Sequence, residues 1–324
     1  MNMRLSDVAG GTWLRGLVVV AVVAWALLAA TAAEAQQTVV CNWTSATLLL
    51  VDLSTGDRTE LAGPTGGSGD SLSNPGSVVQ GASGTLIVSG GSGTFWRVDP
   101  ATGDRTVLSS DSVGTGETTS GVFGLAVEAD GTIIASSGWD SEILRVDPTT
   151  GDRTVIASLT VGSGAAFAST WQVAVEADGT IVYTDYNNQA LVSIDPSTLV
   201  RTVISSSSVG GGVSYPTSPF GFTKLPDGDY AVAALSDTTR SIVRVDPDTG
   251  DRTTLTGSAV GSGSDIGSTY ALGVDTAGTL YVADFSNSAV VSVDATTGDR
   301  TVVSSSTRPV RTTSLPITLA PPSR

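Results

Sequence analysis

The chain has no histidine, one cysteine and one lysine in 324 residues, and only 15% of its residues are charged. Without histidine, neither a Ser-His-Asp nor a Cys-His nucleophilic arrangement can be built, because the general base is missing. Cys41 has no partner in the chain, so no intramolecular disulfide is available even in an oxidising compartment. A small buried filler in a strand is its expected role. Lys224 is the single candidate for Schiff-base chemistry, and a surface pair with the nearby Asp227 is the simpler expectation. No glycine-rich stretch leads into a lysine and a helix, which excludes a phosphate loop. Positive charge is scarce: 16 basic against 31 acidic residues give a net charge of −15 and a pI near 4.2. That balance excludes a nucleic-acid partner, whose phosphates require a basic face. Past the first 35 residues no window keeps apolar residues at helical spacing for three turns.

What remains is glycine (38 residues), much Ser and Thr, and a nonamer written six times. Val146-Asp147-Pro148-Thr149-Thr150-Gly151-Asp152-Arg153-Thr154 shows it best. The other copies start at Val51, Val98, Ile194, Val245 and Val293, so successive starts lie 47, 48, 48, 51 and 48 residues apart. A fixed period of this size marks a repeat architecture. Asp can bond the backbone two residues on, Pro pre-sets φ, and Gly closes the turn; Arg-Thr then opens a β-rich run. In the fourth copy Leu199-Val200 replaces Gly-Asp, which predicts a different turn there.

Within one repeat, Phe123 to Glu128, Thr132 to Ser136, Glu142 to Val146 and Arg153 to Ala157 read as four strands. Asp130-Gly131 is the first hairpin turn, matched by Asp178-Gly179, Asp227-Gly228, Ser83-Gly84 and Ala277-Gly278. Four antiparallel strands per 48 residues make a propeller blade. Residues 36–324 are therefore expected to form an all-β, six-bladed β-propeller. The chain enters in the middle of a blade, at Thr38 to Trp43. Leu315 to Leu319 is expected to supply that blade's first strand and so close the ring. Loops with a Val-Gly signature, such as Thr160-Val161-Gly162-Ser163-Gly164, join the blades.

Residues 1–35 read as a signal peptide. Arg4 and Arg15 precede an apolar run from Gly16 to Ala33, and Ala33-Glu34-Ala35 is a small-residue cleavage site. A retained anchor is the alternative. The expectation is a secreted or periplasmic monomer, free of the membrane once the segment is removed.

Glu176-Ala177-Asp178-Gly179-Thr180-Ile181-Val182-Tyr183-Thr184-Asp185 and Thr279-Leu280-Tyr281-Val282-Ala283-Asp284 resemble the strand pairs of the NHL-repeat and gluconolactonase-like propellers, the superfamily of senescence marker protein. The resemblance covers the whole chain past the leader and implies the fold. It implies a range of functions that includes lactonases, lyases and binding modules. Lyase-like and paraoxonase-like members rely on histidine, which is absent here. Gluconolactonase-like members hold a divalent metal through Glu, Asn and Asp, and no strand-one start here carries the glutamate.

Function is expected where the blades differ. Phe123, Trp171, Phe220 and Tyr270 head first strands, and Trp43, Trp139, Tyr186 and Phe285 lie just beyond second strands, all on one face. They either wedge between blades as core or line a surface that stacks on sugars or grips a peptide. Asn42, Ser89, Ser137, Asp185 and Asp284 end the second strands. Asp185 and Asp284 either cap their own turns or meet Ca2+ or another divalent cation. The reading that follows is a non-catalytic binding or scaffold module for an unidentified small molecule, glycan or protein, with no cofactor. A metal-assisted hydrolase or lactonase is the alternative.

Overall fold

The computed structural model describes residues 19–20, 37–234, 241–275, 277–307 and 310–311. Among these every regular element is a strand, and the strands fall into six sheets around a ring. The expected six-bladed β-propeller is the architecture found. From inside outwards the first blade is Pro75–Gln80, Leu86–Gly90, Phe95–Val98 and Arg105–Ser109. The second is Val122–Val127, Ile133–Ser137, Glu142–Val146 and Arg153–Ser158. Thr170–Val175, Ile181–Asp185, Ala190–Ile194 and Val200–Ser206 form the third. The fourth is Pro219–Lys224, Tyr230–Ala234, Ile242–Val245 and Arg252–Thr256, and the fifth Thr269–Val274, Thr279–Asp284, Ala289–Asp294 and Arg300–Ser305. The sixth holds Gln37–Asn42, Thr47–Asp52 and Arg58–Ala62.

The core lies between blades. Second strands such as Ile133–Ser137 are buried on both faces because a neighbouring sheet covers each side. Ile134, Ile143 and Ile156 of the second blade pack with Val173, Ile181 and Tyr183 of the third. Each fully buried Ile or Val of this kind contributes about 1.5–3 kcal/mol. The ring closes the same way: Val40 and Leu48 share one cluster with Trp96 of the first blade and with Tyr281 and Val290 of the fifth. Ser304 Oγ, at the end of the fifth blade, donates to Gly56 O at 2.8 Å across 248 residues. It repeats bonds from Ser109 to Gly151 O, Ser205 to Gly250 O and Thr256 to Gly298 O. Val310–Arg311 then runs parallel to Arg58–Thr59. The expected closing strand, Leu315 to Leu319, lies outside the described residues, as do residues 1–18 and 21–36. Val19–Val20 pairs antiparallel with Cys41 and Asn42 on the inner side of the sixth blade.

The nonamer does more than turn the chain. Asp147 closes its own turn by accepting from Thr149 N (2.6 Å) and Thr150 N (3.0 Å). Asp152 instead reaches the loop from the preceding blade, accepting from Thr115 N and Thr115 Oγ1 at 2.7 and 2.8 Å. Arg153 is buried and clamps the same loop. Its Nε donates to Glu117 O (2.6 Å), and its Nη1 donates to Ser109 Oγ (2.5 Å) and Ser110 O (2.9 Å). Arg105, Arg201, Arg252 and Arg300 hold their loops likewise, through Asp70 O, Ala165 O, Val213 O and Ser264 O. The first half of each joining loop therefore lies along the next blade's outermost strand, at the rim. The Val-Gly signature follows from that approach: a Cβ on Gly114 would sit 2.2 Å from Gly151 O, and one on Gly116 two residues on would sit 2.0 Å from Arg153 O.

The fourth copy of the turn does not differ as expected. Leu199 takes the glycine's place with φ of 57° and keeps the bond from its N to Asp195 O, at 2.8 Å. Val200, in the place of Asp152, is 40% exposed. Lys224 pairs with Glu176 of the third blade at 2.5 Å, and Asp227 is held by Arg244 instead.

Gly151 has φ of 77°, and a Cβ there would stand 2.2 Å from Leu108 O. Gly151→Val is therefore expected to cost at least the roughly 1–2 kcal/mol of a left-handed residue. Val200→Ala should change stability by less than about 0.5 kcal/mol. Denaturant unfolding of the two variants checks this, and equal losses would contradict it.

Candidate functional site

All eight aromatic residues singled out from the sequence meet at one end of the ring. Trp43 stacks on Phe123 (ring centroids 5.8 Å apart), and Phe123 stacks on Trp171 at 4.3 Å. Trp171 lies 3.9 Å from Phe220 and 6.0 Å from Tyr186. Phe220 meets Tyr270 edge-on at 5.0 Å, and Tyr270 meets Phe285 at 4.9 Å. Trp139 touches Phe123 edge-on at 5.6 Å. These offset and edge contacts are the arrangements aromatic rings favour.

The backbone explains the gathering. In each innermost strand the pairing slips by a residue or two near its start. Phe123 falls between Val122, opposite Ser137, and Gly124, opposite Ser136. Trp171, Phe220 and Tyr270 sit at the same irregularity, between Thr170 and Val173, Pro219 and Phe222, and Thr269 and Ala271. A bulge re-aims its side chain, so each of these four blades turns one ring toward the mouth of the channel, whereas the first blade has Gly76 at its bulge. Hydroxyls of the preceding blade fix two of these bulges: Ser136 Oγ donates to Trp171 O (2.5 Å) and Thr184 Oγ1 to Phe220 O (2.8 Å). The rings thus pack against one another as core and also leave faces open at the surface. Phe220 is buried, six rings are half-buried, and Trp139 is 44% exposed. Burial pushes the Tyr270 hydroxyl up to about 12, so it stays neutral. Trp171 Nε1 is buried without a hydrogen-bond partner.

Asp185 and Asp284 tie loops to turns. Asp185 accepts from Ala168 N (3.0 Å), Asn188 N (3.0 Å) and Asn188 Nδ2 (2.9 Å). Asp284 accepts from Gly267 N, Asn287 N and Asn287 Nδ2 at 2.9, 3.0 and 2.7 Å. They stand in the third and fifth blades, each filled by N–H donors of its own blade. Among the described residues no three His, Cys, Asp or Glu side chains come together to hold a metal. As placed, the two carboxylates act as caps and loop ties in separate blades and do not converge on one point.

Two features of this rim were missed in the sequence. In the second blade the carboxylate moves three residues along, to Asp140, which accepts from Ser120 N at 2.5 Å while Ser137 Oγ accepts from Asp140 N. In the first blade the position equivalent to Asp185 is Gly90, not Ser89. Pairing with the third strand sets Ser89 opposite Phe95, as it sets Cys41 opposite Leu48. The corresponding turn of the fourth blade lies outside the described residues.

No protein-family model matches the chain, and no curated protein matches it. Solved structures do. Virginiamycin B lyase from Staphylococcus aureus superposes with a TM-score of 0.56 at 13% identity, covering 84% of this chain and 82% of the lyase. A chain of a nidogen/laminin complex gives 0.60 at 13%, covering 79% and 89%. An auxiliary nutrient binding protein from Bacteroides ovatus gives 0.59 at 13%, covering 83% and 67%. At this identity the likeness establishes the propeller fold and nothing finer.

Burial raises the pKa of Asp185 above the ordinary aspartate value of 3.8, against the opposing pull of its N–H donors. A raised carboxylate favours folding below 3.8 and loses that contribution as pH rises through its folded value. The stability advantage of wild type over Asp185→Asn should therefore shrink as pH rises above 3.8. Denaturant titrations across pH check this, and an advantage that grows with pH would contradict it.

Proposed function

We propose that the protein is an extracytoplasmic binding module that holds its ligand on the aromatic mouth. The observation that supports this most is the linked set of eight rings, four of them placed by bulges, in a region where the blades depart from repetition. Half-buried indole and phenyl faces offer a rigid apolar platform that suits the flat face of a sugar or the side chains of a peptide. The acidic leader-bearing chain, with its half-buried ion pairs Arg145–Glu128 and Lys224–Glu176 at the opposite end, agrees with a solvated body around one adhesive face. Solved propellers of the same fold include a protein named for nutrient binding and a chain of a protein–protein complex. A virginiamycin B lyase made catalytically inactive by replacing one histidine with alanine also shares the fold, and this chain has no histidine. The NHL-repeat and gluconolactonase-like superfamily remains the resemblance that the strand-pair motifs carry, as part of this proposal.

Trp139 is the cleanest probe. It is 44% exposed and meets the rest of the set only through Phe123. Trp171 is the hub, and truncating it to Ala should cost about 3–5 kcal/mol of stability. Glycan and peptide arrays should yield a ligand whose affinity falls by about 2 kcal/mol, roughly 30-fold, in Trp139→Ala with the melting curve unchanged. Binding that ignores Trp139→Ala and Tyr186→Ala would overturn the reading. Lactone or ester hydrolysis that requires Asp185 and Asp284 would replace it with the metal-assisted hydrolase.

A further inference from the structure

Charge is arranged differently at the two ends of the ring. Away from the mouth, acids meet bases: Arg145 pairs with Glu128 at 2.8 Å and Lys224 with Glu176 at 2.5 Å. Arg244 there reaches Asp227 at 2.5 Å and Asp229 at 3.0 Å. At the mouth, the described loop ends before the innermost strands are residues 71–74, 117–121, 165–169, 213–218 and 264–268. The described turns after the second strands are 43–46, 91–94, 138–141, 186–189 and 285–288. Together these segments carry Glu117, Asp140 and Asp265, and neither Lys nor Arg. The turn outside the described residues adds one acid and one base, Asp237 and Arg240, and leaves the balance negative.

Three carboxylates gather beside Trp139, the most exposed ring of the set at 44%. Trp139 and Asp140 share a turn, and Glu142 opens the strand that follows it. The indole lies on the loop end that also bears Glu117, since a Cβ on Gly121 would stand 2.4 Å from the ring. Ser120 N donates to Asp140 at 2.5 Å and ties the turn to that loop. Thr170 Oγ1 donates to Glu142 O at 3.2 Å, which sets Glu142 next to the head of the strand bearing Trp171. Burial first, then Asp140 and Glu117, hold the Glu142 carboxyl above its ordinary value. Among the described residues none of the three carboxylates forms an ion pair.

An aromatic face attracts a cation, and uncompensated carboxylates beside it add to the pull. A neutral sugar gains nothing from them, and an anion is repelled. We propose that the mouth takes a basic peptide segment of a protein partner, with an arginine or lysine side chain laid on Trp139 and its charge met by Glu117, Asp140 and Glu142. This rests on the reading of the mouth as a binding face and adds the charge of its occupant. A guanidinium suits the corner because its plane stacks on an indole while its edge donates to carboxylates. The rings run on from Trp139 through Phe123, Trp171, Phe220 and Tyr270 to Phe285. A lone cation covers only the first corner of that row, whereas a peptide covers the rest with the residues flanking its basic side chain.

The test uses the full-length protein and one labelled hexapeptide series, read by fluorescence polarisation. Its members differ only at one position beside a leucine, which holds arginine, lysine, citrulline or glutamate. Citrulline keeps the shape of arginine without its charge. The arginine and lysine peptides should bind at least about 10-fold tighter than the citrulline peptide. Asp140 stays in place because it holds Ser120, and the charge is removed by Glu117→Gln with Glu142→Gln. That double variant should cut the preference to about twofold or less with the melting curve unchanged. Equal affinities for the arginine and citrulline peptides would overturn the proposal, as would a preference that survives the double variant. So would a failure of both basic peptides to bind at millimolar concentration. A neutral glycan that binds instead, and is lost in Trp139→Ala, would overturn the cationic ligand and leave the binding face standing. Peptide binding indifferent to Trp139→Ala would remove both.

Discussion

Arg105, Arg153, Arg201, Arg252 and Arg300 are buried, and the partners of their guanidinium groups are carbonyls and hydroxyls. A buried cation is costly unless its donors are met. Here several carbonyl dipoles of one folded loop converge on each guanidinium, whose planar fork of five donors can meet them together. Each arginine therefore ties the passage between blades to the outermost strand of the blade it enters. The second Asp of the nonamer and the glycines of the loop serve the same junction: Asp152 takes Thr115 N, and Gly116 lets the two backbones touch. Repetition of the motif is repetition of a joint.

The mouth depends on those joints. A loop fixed at the rim enters the innermost strand at a set point, where the bulge turns one aromatic side chain inward. The blade before it holds the bulge through Ser136 or Thr184. Eight rings from five blades then meet within 3.9 to 6.0 Å of a neighbour. The aromatic set stands where repetition lapses, on a frame that repetition builds.

Much of this was legible in the sequence because a period near 48 residues allows few architectures. The aromatic positions were legible for the opposite reason: they stand out against near-identical surroundings. The arginine's role was not legible, because a sequence shows a charge beside a turn and not the carbonyls it faces across a blade boundary. Leu199 misled because it tolerates the left-handed backbone that glycine usually provides. Ser89 misled because its hydroxyl imitates a turn cap, whereas strand pairing puts it one residue inside the sheet. Asp140 escaped notice because cap and carboxylate exchange places over three residues, which preserves the chemistry and breaks the alignment.

The account stands on the coupling between an arginine and the preceding blade. A double-mutant cycle of Arg153→Lys and Ser109→Ala, read by denaturant unfolding, measures it across the 2.5 Å bond that joins the second blade to the first. Directly bonded partners in one network should couple by about 0.5–3 kcal/mol. Losses that add with no coupling would show that the arginines decorate the junctions and do not hold them.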